Sequence, residues 1–135
     1  MREIATGKYG TDRYGIYLLQ NAGGYYHGLA HLNVARLPRT TGRTLRLLWV
    51  LLGPRYDYGE VEPEVLAAIS KAFILEPLRL ASEAGNPLEA EHVKVHLNNL
   101  ADRSYFVRIA GVLQGDLALQ DVAVRGNWLH ISRGA

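Results

Sequence analysis

Residues 63–84 read PEVLAAISKAFILEPLRLASEA, the longest stretch in the chain with helical signals at both ends. Pro63 suits the first helical position, where a missing N–H costs nothing. Glu62 and Glu64 place negative charge at the positive end of the helix dipole. Val65, Leu66, Ile69, Ala72 and Phe73 recur at three- and four-residue steps and form one apolar stripe. Gly85 can take the left-handed conformation that ends helices, and Asn86-Pro87 prevents continuation. Pro77 interrupts the pattern. It cannot donate to the carbonyl of Phe73, and its ring crowds that carbonyl. The expectation is a kink, or a stop near Leu75 with a second short helix from Pro77. Leu78, Leu80 and Ala81 then supply a second apolar surface.

Outward from this helix the chain reads as strands. Toward the N-terminus, residues 2–8 and 14–20 are strands around a turn at 9–12, and a glycine-rich turn follows at 21–24. Residues 25–37 read as a bent third strand, with Gly28 as the mark of a bulge. Residues 44–52, TLRLLWVLL, fit a buried strand. They also fit a short helix with Leu45, Leu48, Trp49 and Leu52 on one face and Gly53-Pro54 as its stop. Periodicity does not choose between them. The turn sequence PRTTGR at 38–43 favours a hairpin and therefore a strand. Residues 53–60 read as a loop.

Toward the C-terminus, residues 91–98 alternate cleanly. Val93, Val95 and Leu97 face one way, and His92, Lys94 and His96 the other. A turn at 98–102, a strand at 104–113, a turn at 114–116, a strand at 117–125 with a slip near Asp121, and a strand at 128–132 suggest an antiparallel meander. The expected fold class is α+β: a mainly antiparallel sheet of about six to seven strands, with a kinked helix at about 63–84 packed on one face.

A chain of 135 residues makes one domain able to bury a core without covalent staples. It has no cysteine, which excludes disulfides and thiolate metal sites. No apolar run approaches the ~20 residues of a spanning helix, and the first ten residues lack a signal-peptide core. A cytoplasmic chain without membrane contact is expected. Few thermolabile residues, including one methionine, suggest thermostability.

The net charge of +2 hides an asymmetry: residues 1–59 carry +5, residues 60–102 carry −5, and residues 103–135 carry +2. Opposite blocks of this kind complement each other within a fold or between subunits, or mark two faces with different partners.

Two histidine pairs stand four apart, His27 with His31 and His92 with His96. On a helix that spacing binds zinc. On strands it separates the rings by roughly 13 Å, so these are weak metal candidates. No cofactor is expected. No nucleophile elbow, phosphate loop or dinucleotide fingerprint is present. The stronger constellation is basic and aromatic: Arg36, Arg39, Arg43 and Arg46 around the PRTTGR turn, with Arg55, Tyr56 and Tyr58 in the next segment. Guanidinium groups bind phosphates in bidentate fashion, and tyrosines stack on bases. The same residue types are enriched at protein interfaces.

The reading is a small non-enzymatic binding or assembly domain that forms homo-oligomers. The alternative is a module that binds single-stranded DNA or RNA through the Arg/Tyr-rich N-terminal half. A metal-dependent or hydrolytic enzyme is third.

Overall fold

The computed structural model describes residues 1–9, 12–58, 62–96 and 119–133. The turn at 98–102, the strand at 104–113 and the turn at 114–116 lie outside the described residues. Among the described residues, seven strands and two helices follow in the order β1 (Arg2–Tyr9), β2 (Asp12–Gln20), β3 (Tyr26–Ala35), β4 (Thr44–Leu52), α1 (Pro54–Tyr58), α2 (Pro63–Ser82), β5 (His92–His96), β6 (Leu119–Arg125) and β7 (Trp128–Arg133). The strands form one sheet in the order β1-β2-β3-β4-β5-β7-β6. Five of its six pairings are antiparallel, and β4–β5 is parallel. The fold is α+β, with α2 packed on the sheet over β4 and β5.

The stretch 44–52 is a strand, as the PRTTGR turn predicts. Its partner β3 lies antiparallel to it, Ala35 opposite Thr44 and Gly28 opposite Leu52. Two expectations need correction. Residues 53–60 contain the short helix α1, because Pro54 begins a turn rather than ending one, and the Tyr56 N–H reaches the Gly53 carbonyl at 2.9 Å. The C-terminal strands do not follow meander order: the neighbours of β5 are β4 and β7. A parallel pair needs a crossover, and α2 supplies it.

Between the ends of α2 the alternative of a stop near Leu75 is not taken. The helix is one element with Pro77 inside it. Pro77 is itself fully buried, and Phe73, Ile74, Leu78 and Ala81 on either side join the same core. That burial outweighs one lost backbone hydrogen bond. Along the stripe, Val65 is exposed and Ile69 and Ala72 are partly buried, and among the described side chains of α2 full burial begins at Phe73; the side chain of Leu66 lies outside the described residues.

Beneath the helix, alternate residues of each strand point inward: Ala30, Leu32 and Val34 on β3, Leu45 and Leu47 on β4, Val93 and Val95 on β5, and Leu129 and Ile131 on β7. Besides a register shift between Glu3 and Ala5 on β1, three further shifts interrupt the strand pairings. One falls opposite Gly28, where a bulge was expected, and one lies between Leu119 and Asp121, the expected slip. The third makes Leu48 an extra residue on β4. No helix among the described residues is long and apolar enough to cross a membrane.

Candidate functional site

Because side chains alternate along a strand, the inward residues define what the other face of the sheet presents. With Val93 and Val95 inward, His92, Lys94 and His96 face away from α2. With Leu129 and Ile131 inward, Trp128, His130 and Ser132 do the same. On β4 Arg46 faces away, and the bulge at Leu48 sets Trp49 opposite His31. This second face therefore gathers both tryptophans and four of the five histidines of the chain, together with Arg46, Lys94 and Tyr14.

The register arranges them in rows across the strands. The middle row runs Tyr14, Asn33, Arg46, Lys94, His130. Arg46 donates from Nε to Asn33 Oδ1 at 2.8 Å and from Nη2 to the same oxygen, which fixes the guanidinium. On one side of this row lie two aromatic pairs. His31 and Trp49 have ring centroids 5.6 Å apart, and His96 meets Trp128 edge-on at 4.8 Å. Trp49 and Tyr14 are exposed, as is Leu51 further along β4.

On the other side of the row, His92, Ser132 and His130 form a hydrogen-bonded chain. His92 Nε2 lies 2.8 Å from the carbonyl oxygen of Thr41. A carbonyl only accepts, so Nε2 carries the proton. In neutral His92, Nδ1 then accepts from the Ser132 hydroxyl at 2.8 Å, and Ser132 Oγ accepts from His130 Nε2 at 3.2 Å. His130 titrates below the ordinary histidine range. Burial is the first cause, followed by the nearby charges of Lys94, Arg125 and His92, with Asp121 opposing them. Asp121 is held by Arg125 at 2.8 Å.

The arginines singled out from the sequence do not all converge. Arg36 and Arg39 are exposed in the β3–β4 turn, where Arg39 takes φ 61°. Arg43 is half-buried and ties that turn to the loop before β5. Its backbone N–H donates to Glu91 Oε2 at 2.6 Å, and its Nη2 to the Pro87 carbonyl at 2.9 Å. The Arg43 N–H, offset in part by burial, holds the Glu91 carboxyl below the usual range. Only Arg46 belongs to the sheet face. Arg55 and Tyr56 lie in α1 at the far end of β4, roughly 25–30 Å from the turn at the rise of an extended strand; Tyr58 is the last residue of α1. There Arg55 stacks on Tyr25 and Tyr56, and the Tyr56 hydroxyl hydrogen-bonds His27 Nδ1.

The histidine candidates for metal pair differently from their sequence spacing. His27 meets Tyr56, His31 meets Trp49, His92 meets His130 and His96 meets Trp128. Among the described residues no three potential metal ligands cluster.

The acidic block falls on the helix side of the sheet, whereas the basic block is dispersed, with Arg46 on the opposite face, Arg36 and Arg39 in the β3–β4 turn and Arg55 in α1. The described acids of the −5 segment, Glu62, Glu64, Glu76, Glu83, Glu89 and Glu91, all lie on α2, at its N-cap or in the loop after it. Lys94 of the same segment points to the other face. Trp49, Lys94, Trp128 and His130 were absent from the sequence-based site. The alternation at 92–96 shows Lys94, but the pairing of β5 with both β4 and β7 is a tertiary fact.

No known family model matches the chain, and no curated protein is significantly similar to it.

Proposed function

We propose that this chain is a small non-catalytic binding domain that works through the sheet face turned away from α2, and that its ligand is single-stranded nucleic acid. The observation that supports this reading is the gathering of both tryptophans, four histidines, Arg46 and Lys94 on that one face. Flat rings accept stacked bases without regard to sequence, and cations between them accept phosphates. The acidity of the middle segment does not oppose it, because its described carboxylates lie on α2, at its N-cap or in the loop after it. A cytoplasmic setting fits such a ligand.

The test is fluorescence anisotropy with labelled single-stranded DNA and RNA at several salt concentrations. Binding through phosphates releases counterions, so affinity is expected to fall steeply as salt rises. Tryptophan emission should be quenched as well, since both tryptophans lie on the face. Absence of binding at low salt overturns the reading.

Self-association is a second reading, supported by the acidic helix layer against the basic sheet face. Light scattering at micromolar concentration is expected to give a dimer or larger, C2 symmetry being the commonest form. A monomer at all concentrations excludes it.

A further inference from the structure

Arg46 and Lys94 are register partners on adjacent parallel strands, which places their backbones about 5 Å apart. Both are half-buried. Among the described residues, no carboxylate lies within ion-pair distance of either. Like charges side by side on a sheet destabilise it, and partial burial strengthens the repulsion. The next residue in the row is His130, directly opposite Lys94. Asn33 holds the Arg46 guanidinium through Nε and Nη2, so its remaining donors are pre-aimed rather than mobile. Three groups able to bind one anion thus stand in line, with an aromatic pair on each side of β4 and β5 to flank it.

We infer that Arg46, Lys94 and His130 form the subsite for one phosphate group of the ligand, and that His130 takes up a proton when the phosphate arrives. This rests on the nucleic-acid reading only for the identity of the phosphate's carrier. An anion beside Lys94 offsets the Lys94 repulsion that, after burial, disfavours charge on His130. The hydrogen-bonded chain accommodates the proton without rearrangement. His130 Nε2–H keeps donating to Ser132, and Nδ1 gains a hydrogen to donate to the anion. The other groups around His130 are His92 and Lys94 on β5 and Asp121 and Arg125 on β6. Asp121 is engaged by Arg125, so among these groups the new charge is best met by the ligand.

Two measurements test this. First, inorganic phosphate is titrated while the histidine ring signals are followed by NMR. The His130 signals should shift, and their titration midpoint should rise with phosphate present. Second, oligo-dT anisotropy is measured at pH 5.5 and pH 8 for wild type, Lys94→Gln and His130→Gln, each checked for folding by circular dichroism. Wild type should bind more tightly at the lower pH. Lys94→Gln should bind about fivefold more weakly, with the slope of log K against log salt reduced by about 0.7. His130→Gln should lose the gain in affinity that wild type shows between pH 8 and pH 5.5. If phosphate shifts His130 but oligo-dT does not bind, the subsite stands and the nucleic-acid reading fails. If oligo-dT binds but Lys94→Gln changes neither affinity nor slope, or the pH gain survives in His130→Gln, the subsite is wrong. If neither probe acts, both fail.

Discussion

The Tyr17 hydroxyl donates to Glu3 Oε2 at 2.9 Å across directly paired positions of β1 and β2. Arg13 Nη2 donates to the same oxygen at 2.7 Å. Burial, reinforced by the negative Glu3, pushes the Tyr17 phenol up to about 12. Against burial, the Tyr17 and Arg13 hydrogen bonds hold the Glu3 carboxyl below its usual range.

A raised phenol favours the neutral form in the folded state. Its contribution is fully present below the ordinary value of 10 and is lost as pH rises toward about 12. Urea midpoints across that window should reveal a loss on the order of 2–3 kcal/mol. Tyr17→Phe should flatten this alkaline limb while costing about 1–2 kcal/mol near neutral pH. An equally steep limb in the variant would contradict the assignment.

His130 predicts the opposite limb. Its lowered pKa favours the neutral ring in the fold. Stability is therefore full above the ordinary histidine value of 6.5 and falls as pH drops from there toward the lowered value. His130→Gln should show a shallower loss than wild type when urea midpoints are compared between pH 8 and pH 5.

Gly28 on β3 faces Phe73 of α2. A Cβ at Gly28 would lie 2.5 Å from the Leu51 carbonyl oxygen and 3.1 Å from Phe73 Cζ. Since the first of these is backbone in the paired strand, Gly28→Ala should destabilise by roughly 1–3 kcal/mol. Phe73→Ala should cost on the order of 3–5 kcal/mol, the ring being buried. Combining the two relieves only the contact with the ring. The double variant should therefore be less unstable than the sum of the singles, by a margin that thermal melts can resolve.

The turn arginines should separate by role. Arg39→Gly relieves a left-handed backbone at a non-glycine residue and should be neutral or stabilising by up to ~1 kcal/mol. Arg43→Ala removes the tie to Pro87 and should cost about 1 kcal/mol. If oligonucleotides bind on the sheet face, Arg39→Gly should lower the salt slope less than Lys94→Gln does. The reverse order would move the binding surface to the turn.

Much of the architecture was legible because it is written locally. Alternation identifies β5, and the PRTTGR turn resolves the ambiguous 44–52 as a strand. Gly28 and Asp121 announce the two bulges beside them. What was not legible depends on long-range pairing. The apolar run of β4 carries no sign that its outer edge meets β5 in parallel. The arginines near it in sequence therefore looked like one cluster, whereas an extended strand separates Arg43 from Arg55. Lys94 and His130 stand 36 positions apart yet are directly opposite each other. Short helices also escape pattern reading, as α1 did, because five residues hold too little periodicity to register.

The seam between β4 and β5 has a consequence for how the chain folds. From β1 to β4 each strand pairs with its sequence neighbour through a hairpin, so that half can zip from its turns with little loop entropy to overcome. The parallel seam closes only after α2 has carried the chain across the sheet, and the contacts that reward closure, such as Leu45 beside Val93, come from the two sides of a long loop. Non-local joins of this kind slow folding. The hairpin half is therefore the early folding unit and the seam the late one. Trimming Leu45 or Val93 should chiefly accelerate unfolding, whereas damage to the β2–β3 hairpin should chiefly retard folding.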